Sequence, residues 1–342
     1  MKRAAFLRFA APSIVLMLLL LALPLAMTLW LSVRTCTPEL ELVAVEITGP
    51  FGTQQVTTQR QKLDDAGRPQ QQCQFVGLDY YRKVLGLDKP PAPAAAAPGA
   101  PPAASPGAPP ISAHNEFLSA LGFTLLYTFA TTPFILVGGL ALALAMNGVT
   151  QRLRGAFIAA SLLPFIITPV VGALAIKWLF RDNGLVSSLL SEVGIQVFWM
   201  AEAWSARLLI IVYGIWHVLP FAFIVFYAGL QGVPQDSLEA ATLDGASRWQ
   251  KLRYVTLPHL APLLVFVTLI HLMDAYRVFE PVLVLTKGAF TTSVQYLTYT
   301  ILLEENNPYK ASAAAVLTLA GIAILLIPLL RRTWREQRGE RA

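Results

Sequence analysis

The chain has 342 residues, 55% of them hydrophobic and only 13% charged, with a mean hydropathy of +0.57. Soluble domains carry about a quarter charged residues, so this composition excludes an ordinary soluble enzyme and points to a polytopic membrane protein. The net charge of +6 is carried by short interhelix loops and tails, which reads as a topology signal and argues against nucleic acid as a partner.

A bilayer core needs roughly 20 apolar residues per helix, and polar backbone cannot face lipid. Six stretches meet that requirement. The first runs from Ala11 to Val33, behind Met1, Lys2 and Arg3. It is longer than a signal-peptide core and no clear small-x-small site follows, so it is expected to remain as a helix; Val33-Arg34-Thr35 is a poor lead-in for a lipoprotein cysteine at Cys36. Residues 34–116 form a long loop. Within it Glu39–Thr48 (ELELVAVEIT) alternates like a strand, Gly49-Pro50-Phe51-Gly52 is a turn signal, and Gln54–Lys62 is placed to return as a second strand. The two cysteines, Cys36 and Cys73, both fall here. On an oxidising side of the membrane they are candidates for a disulfide, with two free thiols as the alternative. Pro90–Pro110, uncharged and dense in proline and alanine, reads as a semi-extended linker.

The remaining spans are Phe117–Met146, Ala156–Phe180, Leu208–Leu230, Leu260–Leu285 and Ala311–Leu330. Basic residues mark one side: Lys2, Arg3 and Arg8; Arg152 and Arg154; Arg248, Lys251 and Arg253; and Arg331, Arg332, Arg335, Arg338 and Arg341. With six spans all of these fall on the cytoplasmic side, both termini included. The expected fold is an all-α polytopic membrane protein with six transmembrane helices and a small extracytoplasmic insertion between helices 1 and 2. Its segments are 1–34 (N-terminus and first helix), 35–116 (insertion, with linker 90–110), 117–331 (core) and 332–342 (cytoplasmic tail).

The sequence contains no phosphate-binding loop, no HExxH, no CxxC and no G-x-S-x-G. His114, His217, His259 and His271 make no close pair, so neither a metal site nor a self-contained active site is expected, and energy for work would come from a partner or an ion gradient. Two features carry information instead. Span five holds His271, Asp274, Tyr276, Arg277 and Glu280. Ionisable groups inside a span face a bundle interior or a wet cavity. Steps of three place Asp274 near Arg277, and Arg277 near Glu280, within pairing reach. A polar lining for a substrate path and an internal ion-pair network are both open, and Trp216 and His217 of span four are further candidates for the path. The second feature is Glu239–Pro258, a polar segment between two oily spans. Asp236 or Ser237 is a possible cap for a short helix, Gly245 permits a turn, Ser247 can cap a second helix from Arg248, and Pro258 is expected to end it. An interfacial helix resting on lipid headgroups accounts for such a segment as well.

The spacing Glu239-Ala240-Ala241, three residues, Gly245, nine residues, Val255, one residue, Leu257-Pro258 resembles the EAA motif of ABC importer permeases, with valine in place of the usual isoleucine. Ala228-Gly229-Leu230-Gln231, Phe75-Val76-Gly77-Leu78-Asp79-Tyr80-Tyr81, Leu163-Pro164 through Trp178-Leu179-Phe180, and Leu285-Thr286-Lys287-Gly288 resemble further segments of the sugar-type, MalF-like subfamily. The last of these lacks the second glycine and the proline of the family pattern. The resemblance implies a type I permease core that is not itself an enzyme. Its loop 237–258 would dock ATPase subunits through Glu239, Ala240, Ala241, Asp244, Gly245, Ala246, Leu257 and Pro258. It implies two ABC ATPase subunits, which bind the ATP and Mg2+, no cofactor on this chain, a second permease subunit as a heterodimer partner, an extracytoplasmic solute-binding protein, a sugar or oligosaccharide substrate, and the bacterial cytoplasmic (inner) membrane with its lipid. An importer of a polyol, glycerol phosphate or amino acid, and a non-pumping membrane sensor or scaffold, are the alternatives.

Overall fold

In lipid every backbone N–H and C=O must be satisfied within the chain, so a long apolar run folds as a helix. The computed structural model describes residues 3–49, 52–62, 71–87, 116–146 and 148–339; the Pro/Ala-rich linker lies outside them. Among the described residues five helices are long and apolar enough to cross a membrane, and a bent pair makes a sixth crossing if counted as one span. The described residues fall into two units, one drawn from 1–89 and 301–317, the other from 90–300 and 318–342.

The first unit starts with α1 (Arg3–Ser32), whose Ile14–Trp30 stretch is exposed on every side. A helix apolar all round has no polar face to give to water, so this one suits lipid or other helices. Then come β1 (Arg34–Pro38), β2 (Leu40–Gly49), β3 (Gly52–Gln61), β4 (Gln71–Phe75) and the short helix α2 (Asp79–Val84). β2 and β3 form an antiparallel hairpin with Leu40 opposite Gln61 and Gly49 opposite Gly52, close to the two strands expected. β1 pairs antiparallel with β4, which periodicity does not signal; Cys36 stands opposite Cys73 and the two are joined by a disulfide. Hydrogen bonds from Val76 N and Gly77 N to Val33 O (2.9 and 3.1 Å), and between the Ser32 and Tyr81 hydroxyls (2.7 Å), tie the hairpin base to the end of α1.

The second unit is helical: α3 (Glu116–Met146), α4 (Gln151–Ile166), α5 (Pro169–Leu179), α6 (Leu185–Glu192), α7 (Ala203–Gln231), α8 (Gln235–Leu243), α9 (Arg248–Lys251), α10 (Leu257–Tyr276), and the start of α11 (Val294–Leu303). It also holds the later part of α12 (Pro308–Gly339). α3 and α7 pack closely because Gly138 and Gly139 bring the backbones together: a Cβ on Gly139 would lie 2.7 Å from Ala222 Cβ and 3.0 Å from Phe223 N. Small residues at such contacts are the usual means of helix association in membranes. Ile135, Ala143, Ala222, Phe223, Phe226 and Val267 form one buried cluster. Phe123, Tyr127, Ile210, Tyr213, Ala275 and Val282 form another.

Two expectations need correction. Span three is not one helix: α4 and α5 meet at a 93° bend. The cause is Pro169, since the residue before proline is pushed to extended backbone; Ile167 and Thr168 have ψ of 131° and 141°. Span five does not run from Leu260 to Leu285. Helical structure begins at Arg248, passes through a π-helical turn at Leu252–Thr256, and ends at Tyr276. Pro258 therefore does not end a helix. It occupies the first turn of α10, where its missing N–H costs little.

Gly139→Val should destabilise the chain by about 1–3 kcal/mol through overpacking. Gly122→Val, on the same helix with nothing within 4 Å of its Cβ, should leave thermal unfolding in detergent unchanged or slightly raised.

Candidate functional site

The polar segment folds as an arm of two short helices. α7 ends at Gln231, Val233 is buried, and α8 begins after Pro234. The expected cap at Asp236 or Ser237 is not used: Pro234 holds the N-cap position with no side-chain hydrogen bond, and Asp236 lies in the first turn, where a carboxylate suits the helix dipole. The chain reverses through Gly245 at φ +75°, a left-handed conformation glycine adopts without a Cβ clash. Asp244 N and Ala246 N donate to the carbonyls of Ala240 and Ala241 (3.0 and 2.9 Å), closing the end of α8. Ser247 caps α9 in a reciprocal box: Gln250 N donates to its hydroxyl (3.3 Å) and Ser247 N donates to Gln250 Oε1 (2.7 Å). Lys251 Nζ reaches Thr242 Oγ1 at 2.7 Å and latches the two helices. Glu239, Ala240, Asp244, Gly245 and Pro258 are exposed, while Ala241, Ala246 and Leu257 are half-buried. At the tip Leu243 is 89% exposed.

The second site is a polar cavity of about 180 Å³, lined by Tyr127 of α3, Pro169 of α5, Tyr213, Gly214 and His217 of α7, and His271, Asp274, Arg277 and Glu280 at and after α10. The bend between α4 and α5 shapes it. In a continuous helix the Thr168 N–H would bond to the Pro164 carbonyl. The bend frees that carbonyl, and it accepts from His217 Nδ1 at 2.8 Å. Tyr213 OH donates to Pro169 O at 2.7 Å and stacks on His217, with ring centroids 5.7 Å apart and 7° between planes. His271 Nε2 lies 3.0 Å from Thr131 Oγ1, and its Nδ1 has no partner.

Five of the seven residues singled out for the path thus line this cavity. The other two do not. Trp216 is 40% exposed beside Tyr213 and outside the lining. Tyr276 is fully buried and packs its ring against Gly321 of α12, a helix contact. The expected pairs Asp274–Arg277 and Arg277–Glu280 are not formed: among the described residues the ion pairs are Lys62–Glu39 (3.5 Å) and Lys310–Glu305 (2.8 Å). Arg277 caps the end of α10 (φ −99°, ψ 21°), so it and Glu280 leave the helix on which a three-residue step brings side chains together. Tyr127 and Tyr213 escaped the sequence reading, because their significance lies in contacts between helices. A tyrosine in each of two apolar spans was the available signal.

A multi-pass helical membrane protein with a solvent-exposed helix–glycine–helix arm is the class these features define. The chain belongs to the family of binding-protein-dependent transport system inner membrane components, whose family model matches residues 107–338. It is 33% identical over 191 residues to the trehalose/maltose transport system permease protein MalF of Thermococcus litoralis, an alignment that covers 54% of this chain and 64% of that protein. It is 29% identical over 232 residues to the arabinooligosaccharides transport system permease protein AraP of Halalkalibacterium halodurans (66% and 73% covered). With the trehalose transport system permease protein SugA of Mycobacterium tuberculosis the identity is 33% over 211 residues (60% and 67%). Among solved structures, a bacterial ABC transporter involved in the import of the acidic polysaccharide alginate matches with a TM-score of 0.59 at 25% identity, covering 64% of this chain and 79% of that one.

Thr131→Val should cost about 1–3 kcal/mol by leaving the buried His271 ring unpartnered. Asp274→Asn, at an exposed position with no ion pair, should fall within about 0.5 kcal/mol of the parent; thermal unfolding of the two variants in detergent compares them.

Proposed function

We propose that this chain is a permease subunit of an ATP-driven, binding-protein-dependent importer of a sugar or oligosaccharide. The observation that carries the reading is the exposed arm Gln235–Lys251, turned at a left-handed Gly245 and ending in an uncovered Leu243. Exposed apolar residues on a rigid polar arm are what a docking partner would cover. On this reading the partner is a cytoplasmic ATPase subunit, two of them serving two permeases, with ATP and Mg2+ held on those subunits and no cofactor on this chain.

ATP-driven closure of the ATPases would displace the arm. The arm runs without interruption through the π turn into α10, which carries His271 and Asp274 at the cavity wall. Movement at the arm would therefore reach the cavity through one helical element and alternate the side to which the path opens. A second permease subunit would complete the path, and an extracytoplasmic binding protein would deliver substrate. The polar, aromatic-walled cavity suits a hydroxyl-rich ligand, and three similar permeases are named for the transport of trehalose, maltose or arabinooligosaccharides. The arm and both termini lie in the cytoplasm on this reading, in the inner membrane of a bacterium, as the basic flanks favour.

Gly245→Val forces a branched side chain into the left-handed region at about 1–3 kcal/mol. That corresponds to about a 5- to 150-fold loss of the docked state. Solute uptake and ATPase co-purification should fall together in this variant and in Glu239→Lys. Both unchanged would refute the docking role.

A further inference from the structure

An apolar groove of about 730 Å³ lies between α3 and the arm's continuation into α10. Its walls are aliphatic, led by Leu140, Ala141 and Leu144 on α3 and by Leu252, the first residue of the π turn, with Trp249 and Arg253 also in the lining. Among the described residues no acidic side chain lines it. Arg253 is exposed and forms no ion pair among the described residues, and its guanidinium lies 5.9 Å from the Tyr254 ring.

The groove differs from the helix-contact face of the same helix. There Gly138 and Gly139 admit α7 to backbone contact, as membrane helix interfaces usually require. The groove lining contains no glycine or serine, and its side chains leave a channel. Tryptophan and arginine are the residues that settle at headgroup level, and the span Arg248–Tyr276 begins at Arg248, five residues before Arg253 in the sequence. Basic pockets between transmembrane helices on the cytoplasmic side receive anionic lipid headgroups.

We propose that this groove binds one anionic phospholipid of the cytoplasmic leaflet, an acyl chain along Leu140 and Leu144 and the phosphate on Arg253. The leaflet assignment rests on the orientation given under Proposed function. The bound lipid would brace α3 against the π turn at Leu252–Thr256. π turns interrupt helices at functional positions, and this one joins the arm to the cavity-lining helix, so the lipid would set the stiffness of that link.

The test uses the complex purified with its partner permease and ATPases. It is placed in nanodiscs of phosphatidylcholine and phosphatidylglycerol in equal amounts, released, and weighed by native mass spectrometry. Phosphatidylglycerol should be retained preferentially. Arg253→Gln should reduce that retention about fivefold, the scale of one basic residue at an anionic surface. Ala141→Trp, which fills the groove from α3, should abolish retention of both lipids. Co-purifying ATPase in both variants keeps this result separate from failure of the docking role. Equal phosphatidylglycerol retention in the parent and both variants would overturn the proposal. So would a photo-crosslinker at Leu144 recovered on a helix of the partner permease in place of lipid.

Discussion

A backbone carbonyl freed inside a bilayer has no water to turn to, and the arrangement of the helical core follows from how one such group is satisfied. Pro169 breaks the third crossing and opens a 93° bend. The Pro164 carbonyl then loses its helical donor and takes the imidazole of His217. Tyr213, one turn earlier on α7, bonds to Pro169 on the far side of the bend. A single helix face thus holds both halves of the broken span. Because His217 and Tyr213 are committed to it, they stand with their rings stacked at the wall of a polar cavity. In this bundle the repair of a broken helix and the shaping of the polar cavity are the same set of contacts.

The arm obeys the opposite constraint. It keeps polar and charged residues between two spans, holds itself together through a capping box and the Lys251–Thr242 latch, and leaves Leu243 uncovered. A stiff element with an exposed apolar tip, continuous with a helix that lines the cavity, is suited to transmit force. The π turn at Leu252–Thr256 is the irregular part of that connection, and the groove beside it is where a lipid could act.

The spans were legible from their length and apolarity, and the hairpin Leu40–Gln61 from its alternation. Gly245 and Ser247 were legible because a left-handed turn and an N-cap demand particular residue types. Three things were hidden. The bend at Pro169 leaves no local signal, since proline is tolerated in membrane helices when neighbours supply donors, and His217, the donor to the Pro164 carbonyl, is 53 residues away. Pro258 reads as a terminator from sequence, although proline in a first turn is harmless. Tyr276 looked like a path residue until Gly321, on another helix, proved to be its partner. The bend and Tyr276 each depend on a partner distant in sequence, which local pattern does not encode, whereas Pro258 depends on where α10 starts.

The most direct measurement is a cross-link from the tip of the arm. Cys36 and Cys73 are the chain's two cysteines and are bonded to each other, so Leu243→Cys introduces a single free thiol. In native membranes a short thiol-reactive cross-linker at that position should join the chain to an ATPase subunit, identifiable by mass spectrometry, and should stop ATP-driven uptake. A thiol that reacts freely with aqueous reagents yet captures no ATPase, in a complex that still transports, would contradict the assignment of the arm as the coupling element.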